Sequence, residues 1–162
     1  MAEHEPISFD EASRLHDEGR LEESFAMFLK LAEAGDASAC GMVATMYFDG
    51  EGVAFDFDES VKWDLRAIEL GDTTSLSNLA ISYRNTGNAR EARKWFEKAV
   101  ATGDGEAALD LAKLLHVSDF EIDNVRRLLK MAVESDHMTP AGLEEAEAML
   151  AALDTERTKS GS

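Results

Sequence analysis

The sequence predicts an all-α protein, about four helix-turn-helix repeats stacked in a row and closed by a C-terminal capping helix. Three observations carry this. Two prolines occur in 162 residues, and Ala, Leu, Glu, Lys and Arg dominate, a composition that favours helix over sheet. The pair Gly-Asp returns as Gly35-Asp36, Gly71-Asp72 and Gly103-Asp104, then as Ser135-Asp136, at spacings of 36, 32 and 32 residues. Fixed periods in this range mark stacked structural repeats. Similar segments precede each pair, LKLAEAGD, RAIELGD, EKAVATGD and KMAVESD. Each reads as the last turns of a helix halted by Gly or a small residue, with the next helix capped by Asp, Ser or Thr.

The first hairpin is expected over 8–18 and 21–34, with small Ala12, then Leu15, Ser24 and the large pair Met27-Phe28. The second runs over 37–49 and 57–70, with Ala44, Tyr47, Ser60 and Trp63-Asp64 at the matching places. The third covers 73–86 and 89–102 with Ala80, Tyr83, Ala92 and Trp95-Phe96. The fourth covers 105–116 and 121–135 with Ala112, Leu115, Asn124 and the weaker Arg127-Leu128. Small residues let two helices approach closely, and bulky ones fill the gap to the next hairpin. The aromatic and Met stripe is therefore core packing rather than a cofactor box. A last helix over 140–153 contains LEEAEAML, whose acidic face suits a solvated cap. The expected organisation is an N-terminal tail 1–7, a single repeat domain 8–153 and a polar tail 154–162, DTERTKSGS, that frays.

The second unit is longer than the third and fourth, 36 residues against 32. The extra length falls in DGEGVAFDF, between its two helices. Gly50 and Gly52 let the backbone turn at positive φ, Val53 tucks under the turn, and Asp56 caps the second helix. A phosphate loop requires Gly-x-x-x-x-Gly-Lys-Ser/Thr after a strand, and neither lysine nor strand is present. A helix-loop-helix calcium site requires acids at positions one, three and five, Gly at six and Glu at twelve, which this spacing does not give. The stretch makes a corner.

With these residues the chain resembles the Sel-one-like repeat family, a relative of the tetratricopeptide repeat. The family pattern is met closely once, by Val43, Ala44, Tyr47, Gly50, Gly52, Val53, Asp56, Ser60, Trp63, Ala67, Gly71 and Asp72. The third unit, NLAISYRNTGNAREARKWFEKAVATGD, lacks the insertion and is closer to a tetratricopeptide hairpin, and units one and four are degenerate. The resemblance covers about residues 8–152 and implies a right-handed α-solenoid that binds other proteins, often on a concave face lined by the first helix of each hairpin. Secreted, cysteine-paired members credited with β-lactam binding are not matched, because this chain has one cysteine.

If those concave positions carry over, the partner-binding residues are Phe9, Ser13, His16 and Asp17 in the first unit and Thr45, Phe48 and Asp49 in the second. The third offers Thr74, Ser77, Ile81, Arg84 and Asn85, and the fourth Lys113 and His116. Phe9, Phe48 and Ile81 are either exposed apolar anchors of a binding groove or residues buried between hairpins.

No enzyme, cofactor or metal is expected. His4, His16, His116 and His137 form neither His-x-x-x-His nor His-Glu-x-x-His. Ser135-Asp136-His137 holds triad residue types, but adjacency in sequence is not triad geometry. No Gly-x-Ser-x-Gly or Ser-x-x-Lys occurs. Carboxylate pairs such as Glu22-Glu23 and Glu144-Glu145 read as solvated helix faces. Cys40, the single cysteine, reads as a packed core residue. MAEHEPISFD has no basic region or apolar run, and no 18-residue apolar stretch exists. The expectations are no secretory signal, no membrane span and a cytoplasmic location.

Net charge is −17, which excludes nucleic acid and anionic membrane as expected partners and suits a basic protein. Residues 1–36 carry −7, 37–72 carry −6, 73–104 carry +2, and 105–136 and 137–162 carry −3 each. Such asymmetry gives a directional field that speeds association and fixes register. The alternative is that Arg90, Arg93, Lys94 and Lys98 pair with glutamates along their own helix. The expected function is non-catalytic protein binding, with an immunity protein or antitoxin masking a basic toxin as the sharper version. A general peptide-docking adaptor and a hydrolase stand behind it.

Overall fold

The computed structural model describes residues 7–116 and 122–160. Its described helices follow in order as α1 (Phe9–Asp17), α2 (Leu21–Glu33), α3 (Ala37–Asp49), α4 (Phe57–Glu69), α5 (Thr74–Asn85), α6 (Ala89–Val100), α7 (Gly105–His116), α8 (Ile122–Val133) and α9 (Pro140–Ser160). No strand occurs among the described residues. The expected helix ends are met to within two residues wherever they are described, except at the C-terminal end of α9. That helix reaches Ser160, seven residues beyond the expected 153. Two features extend it. No Gly or Pro lies between Gly142 and Gly161, and Arg126 of α8 holds Asp154 at 3.0 Å and the Leu153 carbonyl at 3.3 Å. Residues 1–6 and 161–162 of the expected tails, and the expected helix start at 121, lie outside the described residues.

The repeated Gly-Asp pair proves to be a stop and a start in two residues. Gly35, Gly71 and Gly103 have φ of 95°, 97° and 90°, the left-handed conformation that ends a helix with little penalty when no Cβ is present. The following amide then reaches back into the finished helix, as Asp36 N–H does to Leu31 O at 3.1 Å and Asp72 N–H to Ala67 O at 3.0 Å. The same aspartate caps the next helix. Asp36 Oδ1 accepts from Ala39 N–H at 2.8 Å and Asp104 Oδ1 from Ala107 N–H at 3.0 Å. Asp36→Ala should therefore cost about 1 kcal/mol in urea unfolding, whereas Asp58→Ala, in the first turn of α4 without a capping role, should cost a few tenths.

The chain divides into two compact units, Met1–Ser82 and Tyr83–Ser162, with the boundary inside α5. In the first, α1 packs on α2, α2 on α3 and α3 on α4. Its core joins Ala12, Phe28, Ala32, Ala39, Cys40, Val43, Met46 and Ala67, with Trp63 packed against it. In the second, α6 packs on α7, α7 on α8 and α8 on α9, over buried Phe96, Leu109, Leu128 and Leu129. The small-residue positions Ala12, Ala44, Ala80 and Ala112 are all fully buried, where a Cβ is all that the close approach of two helices admits. Cys40 is a buried free thiol, Sγ 3.7 Å from Ala32 O, and burial pushes its pKa up.

Candidate functional site

The corner between α3 and α4 is the most elaborated part of the first unit. Seven residues, 50–56, separate these helices, against three between α1 and α2. Gly50 closes α3 in the left-handed region, Gly52 repeats that conformation, and Asp56 N–H donates to Tyr47 O at 3.0 Å. Asp56 Oδ1 then caps α4 through Glu59 N–H at 3.0 Å. The cap and the positive-φ glycines stand as the residue types predicted. Glu51 leaves the corner to meet His16 of α1, Oε2 to Nε2 at 2.8 Å.

The expected partner-binding residues sit as follows. Ser13 Oγ donates to Phe9 O at 3.0 Å and Thr45 Oγ1 to Gly41 O at 3.1 Å, so both hydroxyls turn back on their own helices. Phe9 is half-buried and packs edge-on against Phe28 at 5.1 Å. Phe48 is half-buried beside Phe55 at 6.0 Å and Phe57 at 6.4 Å. Asp17, Asp49 and Thr74 are exposed, and Ser77 and Ile81 are half-buried. Partial burial, then the Glu51 charge, raises the Asp49 pKa. In the second unit Arg84 reaches Asp110 at 2.8 Å, and Lys113 bridges Asp110 at 3.6 Å and Glu145 at 2.9 Å. Asn85 and His116 are exposed. The structure thus gathers Phe48, Asp49 and His16 at the corner, and Arg84 and Lys113 around Asp110.

The positive third hairpin divides its charge between both readings. Arg93 pairs with Glu97 at 2.9 Å and Lys94 with Glu91 at 3.1 Å, which is local helix pairing worth a few tenths of a kcal/mol. Lys98 lies over the Trp95 ring, 3.7 Å from its centroid.

Two features escaped the sequence reasoning. A groove of about 350 Å³ in the first unit is lined by Ala32, Glu33, Glu59, Lys62, Trp63 and Arg66, none of them a first-helix residue. Asp64 is the other. It is 1% exposed, its Oδ1 has no hydrogen-bond partner, and burial pushes its pKa up to about 8. Ser75, within its hydrogen-bonding reach, donates its hydroxyl proton to Asp72 Oδ2 at 2.8 Å. One hydroxyl proton serves one acceptor at a time, so a protonated Asp64 suits this site better than a carboxylate. The signal was available in the register: the equivalent residues at 28, 96 and 128 are Phe, Phe and Leu.

No group of three or more potential metal ligands gathers among the described residues, and no described helix is long and apolar enough to cross a membrane.

A tetratricopeptide repeat model matches residues 73–103, the span that carries α5 and α6. Among solved structures, the chain is similar to c5321, a protective antigen present in uropathogenic Escherichia coli strains that displays an SLR fold. The TM-score is 0.62 with 26% identity, over 70% of this chain and 26% of that one. It is also similar to a Sel1 repeat protein from Oxalobacter formigenes, TM-score 0.65 and 23% identity, over 78% of this chain and 55% of that one. Residues 73–103 carry a tetratricopeptide-like repeat, and the fold is similar to that of Sel1 repeat proteins. MamA shares the fold of this repeat chain at TM-score 0.62 and 12% identity, over 93% of this chain and 97% of that one. The chain spans about a quarter of the first of these proteins and about half of the second. No curated protein matches in sequence. The fold class is an all-α repeat solenoid, and Sel1-like and tetratricopeptide-like arrays are typically protein–protein interaction scaffolds.

Proposed function

We propose that this Sel1-like repeat chain is a non-catalytic module that binds a basic protein in the cytoplasm. The observation that carries the proposal is charge: residues 1–72 hold −13 of the chain's −17, from −7 and −6 in the first two repeats. A field of that sign attracts a cationic surface from beyond contact range and repels nucleic acid and anionic lipid. The proposed contacts in the first unit are Phe9, Ser13, His16, Asp17, Thr45, Phe48, Asp49, Thr74, Ser77 and Ile81. In the second they are Arg84, Asn85, Lys113 and His116.

The tagged full chain should capture one stoichiometric partner of high isoelectric point. Its association rate should fall by about tenfold or more between 0.02 and 0.3 M salt, as steered encounters do. Recovery of many weak acidic proteins, or a rate indifferent to salt, would count against the reading. The narrower version, an immunity protein that masks a basic toxin, predicts that the same partner arrests growth when expressed alone and not when expressed with this chain.

A further inference from the structure

Residues 47–61 contain five carboxylates, Asp49, Glu51, Asp56, Asp58 and Glu59, and no lysine or arginine. Three of the five are engaged: Glu51 with His16, Asp56 with the first turn of α4, and Glu59 with Lys62. Asp49 and Asp58 make no ion pair among the described residues, and both are exposed. Between them in the sequence stands Phe55, 60% exposed, the most open of the large apolar side chains described. It meets Phe48 at an interplanar angle of 62°, an edge-type contact that leaves much of the ring in water. Gly50 lies directly against it, since a Cβ there would sit 3.6 Å from Phe55 N and 3.8 Å from Phe55 Cβ. The acidic turn and the exposed ring therefore share one corner.

We infer that this corner takes an arginine side chain of the basic partner, its guanidinium over the Phe55 ring and its N–H groups toward the carboxylates of Asp49 and Asp58. The inference rests on the proposed function and names the part of the surface that would do the recognition. An apolar anchor would need an enclosed pocket free of charge, and the corner offers neither. A lysine ammonium is compact and strongly hydrated. A guanidinium is planar and weakly hydrated, and it stacks on a ring face while its edge donates to carboxylates. The raised pKa of Asp49, caused by partial burial and by Glu51, marks a carboxylate without a compensating cation.

The test uses the full chain and three Gly-Ser peptides carrying three arginines, three lysines or three citrullines, followed by amide chemical shifts at low and at physiological salt. The arginine peptide should shift residues 48–58, with the lysine peptide about fivefold weaker and the citrulline peptide inactive. Phe55→Ala should weaken the arginine peptide about tenfold and leave the melting temperature unchanged, because the ring is mostly exposed. Phe55→Leu keeps an apolar side chain on Phe48 without a ring face, and should erase the preference for arginine over lysine. Equal affinities for arginine and lysine, or indifference to both variants, overturn the inference. Shifts centred instead on Ser13, Thr45 and Ile81 overturn it while leaving a basic partner in place. Silence from every cationic peptide at low salt overturns both.

Discussion

Asp64→Asn should flatten the stability of this chain between about pH 5 and pH 8, where the parent loses stability steadily as pH rises. The Asp64 carboxyl sits at about 8 in the folded state against an ordinary 3.8, chiefly because burial penalises its charged form. Across that window the folded chain binds one proton that the unfolded chain has released. Stability therefore falls by about 1.4 kcal/mol per pH unit and levels off above the folded pKa. Between pH 5 and pH 8 the loss is bounded at about 4 kcal/mol, and water reaching the site brings the expected value to about 2–3 kcal/mol.

Other perturbed groups act elsewhere on the pH scale. Hydrogen bonds from Arg14 and Arg20 lower Glu11 and Glu23, so the stability they give is lost only as pH falls below the ordinary glutamate range. Cys40 and Tyr47 are raised by burial from 9.0 and 10.0, so they weaken the fold only in stronger alkali. Asp49 is raised as well and adds a smaller slope of the same sign at the acid end. Urea unfolding from pH 4 to 9 checks the prediction; parallel curves for parent and Asp64→Asn would mean that Asp64 ionises freely in the folded chain.

What the sequence made legible follows from which interactions are local. Helix starts and stops depend on a capping aspartate and a left-handed glycine a residue apart, and both types are visible in one dimension. So are the packing positions, because Ala12, Ala44, Ala80 and Ala112 recur at the repeat spacing and all are fully buried. The end of α9 was less visible. DTERTKS is polar, but the anchor that holds its start, Arg126 on Asp154 and Leu153 O, comes from another helix.

Asp64 was hidden for a different reason. Pattern reading places it on the core face of its helix, while polarity places it on the surface, and burial decided in favour of the pattern. The proposed partner-binding residues were legible as positions only. Ser13 and Thr45 spend their hydroxyls on their own helices, and Arg84 and Lys113 converge on Asp110. Neither pairing can be read from spacing along the chain. The repeat pattern likewise called for two glycines in the corner without saying that they answer different demands.

Gly52→Ala separates those demands, and it should be far more damaging than the same change at Gly71. At Gly71, φ is 97° and a Cβ would meet nothing within 4 Å. Alanine there pays only for the left-handed backbone, about 1–2 kcal/mol. At Gly52, φ is 69°, and a Cβ would lie 2.2 Å from Leu21 O, 2.4 Å from Leu21 C and 2.9 Å from Glu22 N. Those atoms are backbone in the first turn of α2, so no rotamer change relieves the clash. The overpacking adds about 1–3 kcal/mol, for a total of about 2–5 kcal/mol. Relief requires the corner to lift from α2, which would break the bond between Glu51 and His16. Gly52→Ala should then show a lower melting temperature and faster exchange of the Glu51 and Asp56 amides, while helices of the second unit keep their protection. A variant that melts with Gly71→Ala would show that the corner yields without leaving α2. Loss of arginine-peptide binding in Gly52→Ala, with Phe55 and every carboxylate still present, would show that the docked corner itself, and not its charge alone, is what a partner recognises.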